Sequence, residues 1–300
     1  MAGALVSFVG AALAIRMLSG HVGVFEINLI RTGGALLLLS LILVGVPRLA
    51  GELRPGHMDR HLPRNLVHAI GGLFWTLAVT YPLPLATVFS LEFTAPAWAA
   101  LLAYPLLGER IRRQSVLGIL ACMVGVLVIL RPSPVSFDAT SILPLGAALC
   151  FGTTVLLTRR LTRTESTFAI LYWMMVIQAA FNAVGTVIYP SGDLSQIGRD
   201  PMLVGAAGLL VISGLSSQFC LAKALQIGEA VMVLSLDFLR VPIIAVIGWW
   251  LYGERLDGWV FAGFAIIAAG IVVGLTPRTR ARPMVPSPVP SGGEALTDGP

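Results

Sequence analysis

Residues 90–110 read SLEFTAPAWAALLAYPLLGER, and residues 235–255 read SLDFLRVPIIAVIGWWLYGER. Laid one above the other, Ser90 meets Ser235, Leu91 meets Leu236, Glu92 meets Asp237 and Phe93 meets Phe238. Gly108-Glu109-Arg110 meets Gly253-Glu254-Arg255. The offset of 145 residues continues without a gap, so that Gly118 meets Gly263, Gly125 meets Gly270 and Pro132 meets Pro277. The chain therefore divides into two related halves, 1–132 and 133–277, and a tail, 278–300.

Composition sets the solvent of these halves. Hydrophobic residues make up 56% of the chain and charged residues only 12%. A soluble domain carries roughly 25% charged residues, so most of this surface must face lipid. Apolar runs bounded by charge or by Pro and Gly fall at about 2–18, 24–45, 64–81, 84–107, 114–130, 141–158, 167–189, 202–222, 229–252 and 258–276. They are too long and too continuous for barrel strands, which alternate over about ten residues. The expected fold is an all-α polytopic membrane protein with ten transmembrane helices. The tail from Arg278 is rich in Pro, Ser and Gly, and is expected to be a disordered cytoplasmic segment.

Charge between the runs predicts orientation. The connection after run 2 carries Arg48, Arg54, Arg60 and Arg64, the one after run 4 Arg110, Arg112 and Arg113, and the one after run 6 Arg159, Arg160 and Arg163. The tail opens with Arg278, Arg280 and Arg282, whereas the alternate connections are poor in basic residues. The positive-inside rule then puts both termini in the cytoplasm, in a cytoplasmic (inner) membrane. Five spans per half make the second half enter the bilayer from the opposite side, an inverted repeat with a site expected at its seam. The net charge of +5 is spread singly among apolar runs, which argues against a nucleic-acid partner.

The paired GER after runs 4 and 9, the glycine-spaced helix after each, and the RP or TPR closing each half resemble the EamA-type carriers of the drug/metabolite transporter superfamily. YPLPLATVFSLEFTAP resembles that family's joint between spans 3 and 4, and SLDFLRVPIIAVIGWWLYGER is similar to a subset with S-adenosylmethionine and riboflavin carriers. The resemblance implies a ten-helix fold with a central cavity lined largely by spans 3, 4, 8 and 9. It leaves the substrate open.

A lone charge at the bilayer centre costs about 2.5–3.5 kcal/mol on insertion scales, so Glu92 and Asp237 are the first candidates for substrate binding or ion coupling. Asp237 has Arg240 three residues on, a local partner on one helix face. The first half has Ala95 there, and Glu92 is expected to pair across helices, face water or stay protonated. Arg31 is either its interhelix partner or part of the cavity wall, and Glu26, nearer the helix start, is expected to snorkel. Trp75 and Phe93 are candidates to stack a planar or cationic ligand, while Trp249, Trp250, Tyr252 and Trp259 suit an interfacial belt. Pro96 and Pro242 fall inside runs and are expected to kink them. Gly270 and Gly274 form GxxxG, which fits a homodimer contact or, as expected here, packing within the chain.

The only lysine, Lys223, follows Ala222, so there is no Gly-Lys-[Ser/Thr] of a nucleotide-binding loop. His57, His61 and His68 have loose metal-like spacing, but no cysteine or acidic cluster joins them, and no cofactor is expected. The reading is a non-enzymatic secondary transporter, its partners a small polar or amphipathic metabolite and the lipid bilayer. A membrane-embedded enzyme and a non-transporting sensor or assembly subunit stay open as alternatives.

Overall fold

The computed structural model describes residues 2–53, 56–80, 88, 91–108, 113–130, 139–192, 194–228, 233, 236–239 and 258–275. Among them it is all helical, with α1 (Ala2–Leu18), α2 (Val24–Gly45), α3 (Met58–Thr80), α4 (Ala95–Leu107), α5 (Arg113–Leu130), α6 (Ile142–Leu161), α7 (Thr167–Ile188), α8 (Pro201–Ile227) and α9 (Gly258–Leu275). Tyr81, Glu109, Arg110, Arg240, Pro242, Trp249, Trp250, Tyr252, Glu254, Arg255 and the tail 278–300 lie outside the described residues.

Continuous apolar sequence forms helices here because hydrocarbon offers no partner for a backbone N–H or C=O, and a helix pairs them internally. By length and composition α2, α6, α7 and α8 can each cross a membrane, and shorter apolar helices accompany them. Polar residues finish the ends: Ser166 accepts from the Ala169 N–H at 3.1 Å and Asp200 from the Met202 N–H at 2.8 Å. Arg159, in the last turn of α6, donates to the carbonyl of Leu225 near the end of α8, satisfying an end that has no intrahelical donor.

Helix pairing repeats itself. A shift of 145 residues carries α1 onto α6, α2 onto α7, α3 onto α8 and α5 onto α9. Under that exchange the contact of α1 with α8 becomes that of α6 with α3, and the contact of α2 with α8 becomes that of α7 with α3. The pairs α2–α7 and α5–α9 map onto themselves. At the centre of α5–α9, the Cys122 Sγ lies 3.6 Å from the Ile267 carbonyl, a contact between equivalent positions. A Cβ on Gly125 would stand 2.9 Å from the Gly263 carbonyl, and one on Gly270 would stand 2.8 Å from that of Gly118. Contacts climb one helix as they descend the other, so α5 and α9 run antiparallel. The glycine of the GxxxG at Gly270 is thus used inside the chain.

Contacts also tie the ends of the bundle. The connection after α2 meets the one after α6, where Gly56 N–H donates to Glu165 Oε1 at 3.1 Å, and the early part of α7, where Trp173 Nε1 donates to the Leu53 carbonyl at 3.0 Å. The start of α2 meets the end of α7 instead, with Phe25 and Tyr189 stacked at 6.0 Å. Glu26 does not snorkel. It is 1% exposed, and its carboxylate accepts from the Ser191 N–H and hydroxyl, both at 3.2 Å. A buried partner offered by α7's exit makes the longer reach to solvent unnecessary.

The fourth run is not one helix. Leu91 and Glu92 are helical, Phe93 and Thr94 form a turn, and α4 starts at Ala95. Thr94 closes the turn, its N–H and Oγ1 donating to the Leu91 carbonyl at 3.1 and 2.7 Å. Pro96 therefore lies in the first turn of α4 and kinks no helix interior, because the N–H it lacks has no partner there in any helix. The equivalent residues of the second half turn at the same place: Leu236 and Asp237 are helical, Phe238 and Leu239 form a turn, and the Leu239 N–H donates to the Leu236 carbonyl at 3.2 Å. α3, conversely, is longer than expected, starting at Met58 and running through Pro63.

Gly125→Val forces α5 off α9 where backbone meets backbone, an overpacking that costs about 1–3 kcal/mol. Its thermal midpoint in detergent should fall clearly below that of Gly205→Val, at a glycine with no atom within 4 Å of an added Cβ. Equal midpoints would show that the contact is dispensable.

Candidate binding chamber

The two breaks border a chamber of about 970 Å³ of empty space, its open mouth included. α1, α2, α3, α6 and α8 complete the wall. On α3 the residues Arg64, His68 and Trp75 follow at intervals of four and seven, which puts them on one face. Most of the remaining lining is apolar, with Thr154, Thr158, Ser217 and Gln218 as neutral polar groups from the second half.

The Trp75 indole N–H donates to Glu92 Oε2 at 2.8 Å, and both side chains are buried. Glu92 sits at the helix break, two residues ahead of the Thr94 cap of α4. Asp237 occupies the corresponding break and lines the same chamber. Each carboxylate is followed in sequence by a phenylalanine, and Phe93 and Phe238 stack with centroids 5.8 Å apart and planes 23° apart. These are again equivalent positions, and their rings close the seam between the halves.

Arg31 threads a slot made by two glycines. A Cβ on Gly214 would stand 2.9 Å from its Cγ, and one on Gly72 would stand 3.1 Å from its Nη2. Nη2 donates to Asn28 Oδ1 at 3.0 Å, and Asn28 Nδ2 donates in turn to Thr76 Oγ1 at 3.0 Å. Arg64 is also held by neutral oxygens: Nε donates to Thr158 Oγ1 at 3.0 Å and Nη1 to Asn65 Oδ1 at 2.6 Å. His68 tilts against Phe151 at 5.5 Å between ring centroids.

Of the residues singled out in the sequence, Arg31, Trp75, Glu92 and Asp237 line one chamber. Arg31 is wall rather than partner to Glu92, since Trp75 is the donor that reaches that carboxylate. Phe93, 3% exposed, packs in the core against Phe238. Arg240 lies outside the described residues. Sequence reasoning missed Arg64 and His68. Arg64 counted as a loop cation and His68 as a stray metal candidate because the run appeared to start at residue 64. Their four-residue spacing with Gly72 and Trp75 beyond, on a helix extended to Met58, is the signal that finds them.

The sequence profile of the EamA-like transporter family matches residues 1–131 and 139–276. The chain belongs to the EamA-like transporter family. Among its relatives, a riboflavin transporter of Vibrio cholerae is 26% identical over 223 residues, covering 73% of this chain and 72% of that one. An S-adenosylmethionine uptake transporter of Rickettsia felis is 25% identical over 211 residues, covering 69% and 68%. The quaternary ammonium compound-resistance protein QacE of Escherichia coli is 34% identical over 103 residues, which is 34% of this chain and 88% of that protein. A crystal structure 18% identical in sequence covers 92% of this chain and 97% of its own, with a TM-score of 0.68, and shares the fold. This EamA-like protein is thus a multi-pass membrane protein of a transporter family, with relatives named for small metabolites.

In this EamA-like chamber, Trp75→Phe keeps a ring and removes the donor to Glu92. Loss of that buried hydrogen bond should cost about 1–3 kcal/mol. The drop would be read as a lower thermal midpoint than that of Trp259→Phe, at an exposed position. No difference between the two would mean that the indole N–H does not hold the carboxylate.

Proposed function

We propose that this protein is a secondary carrier of the cytoplasmic membrane that moves a small polar or amphipathic metabolite by alternating access, driven by an ion gradient or by exchange. The observation that carries the proposal is the Trp75–Glu92 hydrogen bond at a helix break inside an apolar bundle, beside a chamber shared by both halves. Broken helices around a buried acid provide backbone and carboxylate groups where lipid provides none. Membership in a transporter family, with relatives named for riboflavin and S-adenosylmethionine, supports a metabolite as cargo.

The proposed architecture is ten membrane-spanning helices in two inverted five-helix halves, 1–132 and 133–277, with both termini cytoplasmic. Three observations support it. Helix contacts survive exchange of the halves. Equivalent residues meet at Phe93/Phe238 and Cys122/Ile267. The arginine-bearing connections after α2 and α6 touch each other, while the start of α2 meets the end of α7. Two such halves can exchange shapes, one open to each side, around a fixed site. Among the described residues the chamber is lined by two carboxylates, Glu92 and Asp237, and one imidazole, His68, and no group of three His, Cys, Asp or Glu side chains is placed to hold a metal ion.

Glu92→Gln should reach the membrane in normal amount and lose transport, or lose its dependence on a pH gradient, in reconstituted vesicles. Wild-type uptake with wild-type pH dependence in that variant would remove Glu92 from the mechanism. A topology test is independent of cargo. Single cysteines beside Arg110 and Arg255, in a chain whose native cysteines are replaced, should label from opposite sides of the bilayer. Labelling from one common side would end the inverted-repeat reading.

A further inference from the structure

The repeat explains why the halves share a scaffold, but among the described residues the cations that line the chamber, Arg31, Arg64 and His68, belong to the first half. Shifted by 145 residues, Arg31, Arg64 and His68 fall on Val176, Leu209 and Ser213. A buried guanidinium, Arg64, and a half-buried one, Arg31, are costly in a bilayer, and duplication does not account for them.

Their partners are the informative part. A guanidinium carries five N–H donors in a fork that matches carboxylate or phosphate. Arg31 gives one hydrogen bond to a described residue, the neutral Asn28 amide, and its Nε is buried without a protein partner. Arg64 is 3% exposed and gives two, to the neutral Thr158 and Asn65. Among the described residues neither guanidinium stands within 4.0 Å of a carboxylate. An asparagine orients each cation without cancelling its charge. His68, one turn beyond Arg64 on α3 and 5% exposed, adds a buried Nδ1 with no protein partner. Arg31 Nη2 reaches Gly72, two turns past Arg64, or about 12 Å along the helix. Arg64, His68 and Arg31 therefore form one wall of the chamber, with Trp75 and Glu92 at the next turn.

We propose that this wall takes the anionic group, carboxylate or phosphate, of a small organic ligand whose remaining body lies against Trp75 and Glu92. The inference rests on the carrier reading and deepens it by naming the charge of the cargo. Water alone could hydrate the donors, but it would give no reason for two asparagines to present uncancelled guanidinium groups to one cavity. An anion of suitable size supplies the forked acceptor that both arginines lack.

The test uses the full-length chain purified in a nonionic detergent and matched probes that differ only in phosphate: flavin mononucleotide against riboflavin, and adenosine monophosphate against adenosine. In at least one pair the phosphorylated member should bind about ten-fold or more tighter than its neutral partner. Arg31→Gln and Arg64→Gln should each erase that preference, whereas Arg48→Gln, at an exposed connection residue, should keep it. Asn28→Asp preserves the side-chain volume and sets a carboxylate against Arg31, so it should erase the preference in a chain that still melts cooperatively. Inorganic phosphate at millimolar concentration should compete.

Equal or better binding of the neutral members, a preference that survives Asn28→Asp and both arginine variants, or no response to any of the probes would overturn the inference. Vesicle uptake separates it from the carrier reading. Transport of neutral probes without anion preference would sink the anion wall and leave the carrier. Arginine-dependent anion binding with no movement across the bilayer would do the opposite.

Discussion

Hydrocarbon cannot hydrogen-bond, and the structure is organised by that fact. Every polar group inside the bundle has to find its acceptor or donor in the chain or in an internal cavity. The helices are the first consequence. Their breaks are the second, because a turn at Phe93-Thr94 and another at Phe238-Leu239 expose backbone groups that lipid would not tolerate. Phe93 and Phe238, one from each turn, are buried and stack on each other at the seam of the halves. Thr94 shows the local economy: its hydroxyl and N–H both return to Leu91, so the turn satisfies its own carbonyl before α4 begins.

Close backbone approach is the means by which the halves meet. With apolar solvent on the outside, burial of apolar area drives little helix association, and van der Waals contact takes its place. Gly125 against Gly263 and Gly270 against Gly118 let α5 and α9 touch along their backbones, centred on Cys122 and Ile267. Gly152 does the same for α6 against the start of α4, where an added Cβ would stand 2.6 Å from the Ala95 carbonyl. That contact holds the first turn of α4, and with it the Glu92 break, against the second half. Structure and site are coupled here through one glycine.

The scaffold is symmetric and its chemistry is not. Equivalent positions carry a carboxylate in each half, yet among the described residues the guanidinium groups, the imidazole and the indole of the chamber come from α2 and α3. The second half contributes smaller groups: Thr158 receives Arg64, and Gly214 leaves room for the stem of Arg31. A duplicated framework has in this way been given one polar wall and one permissive wall. The Asn28–Thr76 pair illustrates how the polar wall is kept rigid, since it fixes Arg31 from behind with neutral groups.

The order of residues along the chain determined a great deal. It set the all-helical class through unbroken apolar runs and the family through motifs after runs 4 and 9, it carried the 145-residue offset, and it offered Glu92, Asp237 and Arg31, through the cost of burying polarity, and Trp75, through its ring, as candidates that line one chamber. Tertiary structure decided what one-dimensional pattern cannot encode. Periodicity does not reveal that run 4 breaks after Glu92, because Phe-Thr-Ala-Pro suits either a kinked helix or a new start; in the folded chain the new start lies against Gly152. Nor does it reveal that Glu26 finds Ser191, that Phe93 faces its own counterpart, or that Arg64 and His68 turn inward. Each of those depends on which helix lies alongside, a long-range contact whose partner is far away in sequence and close only once the chain has folded.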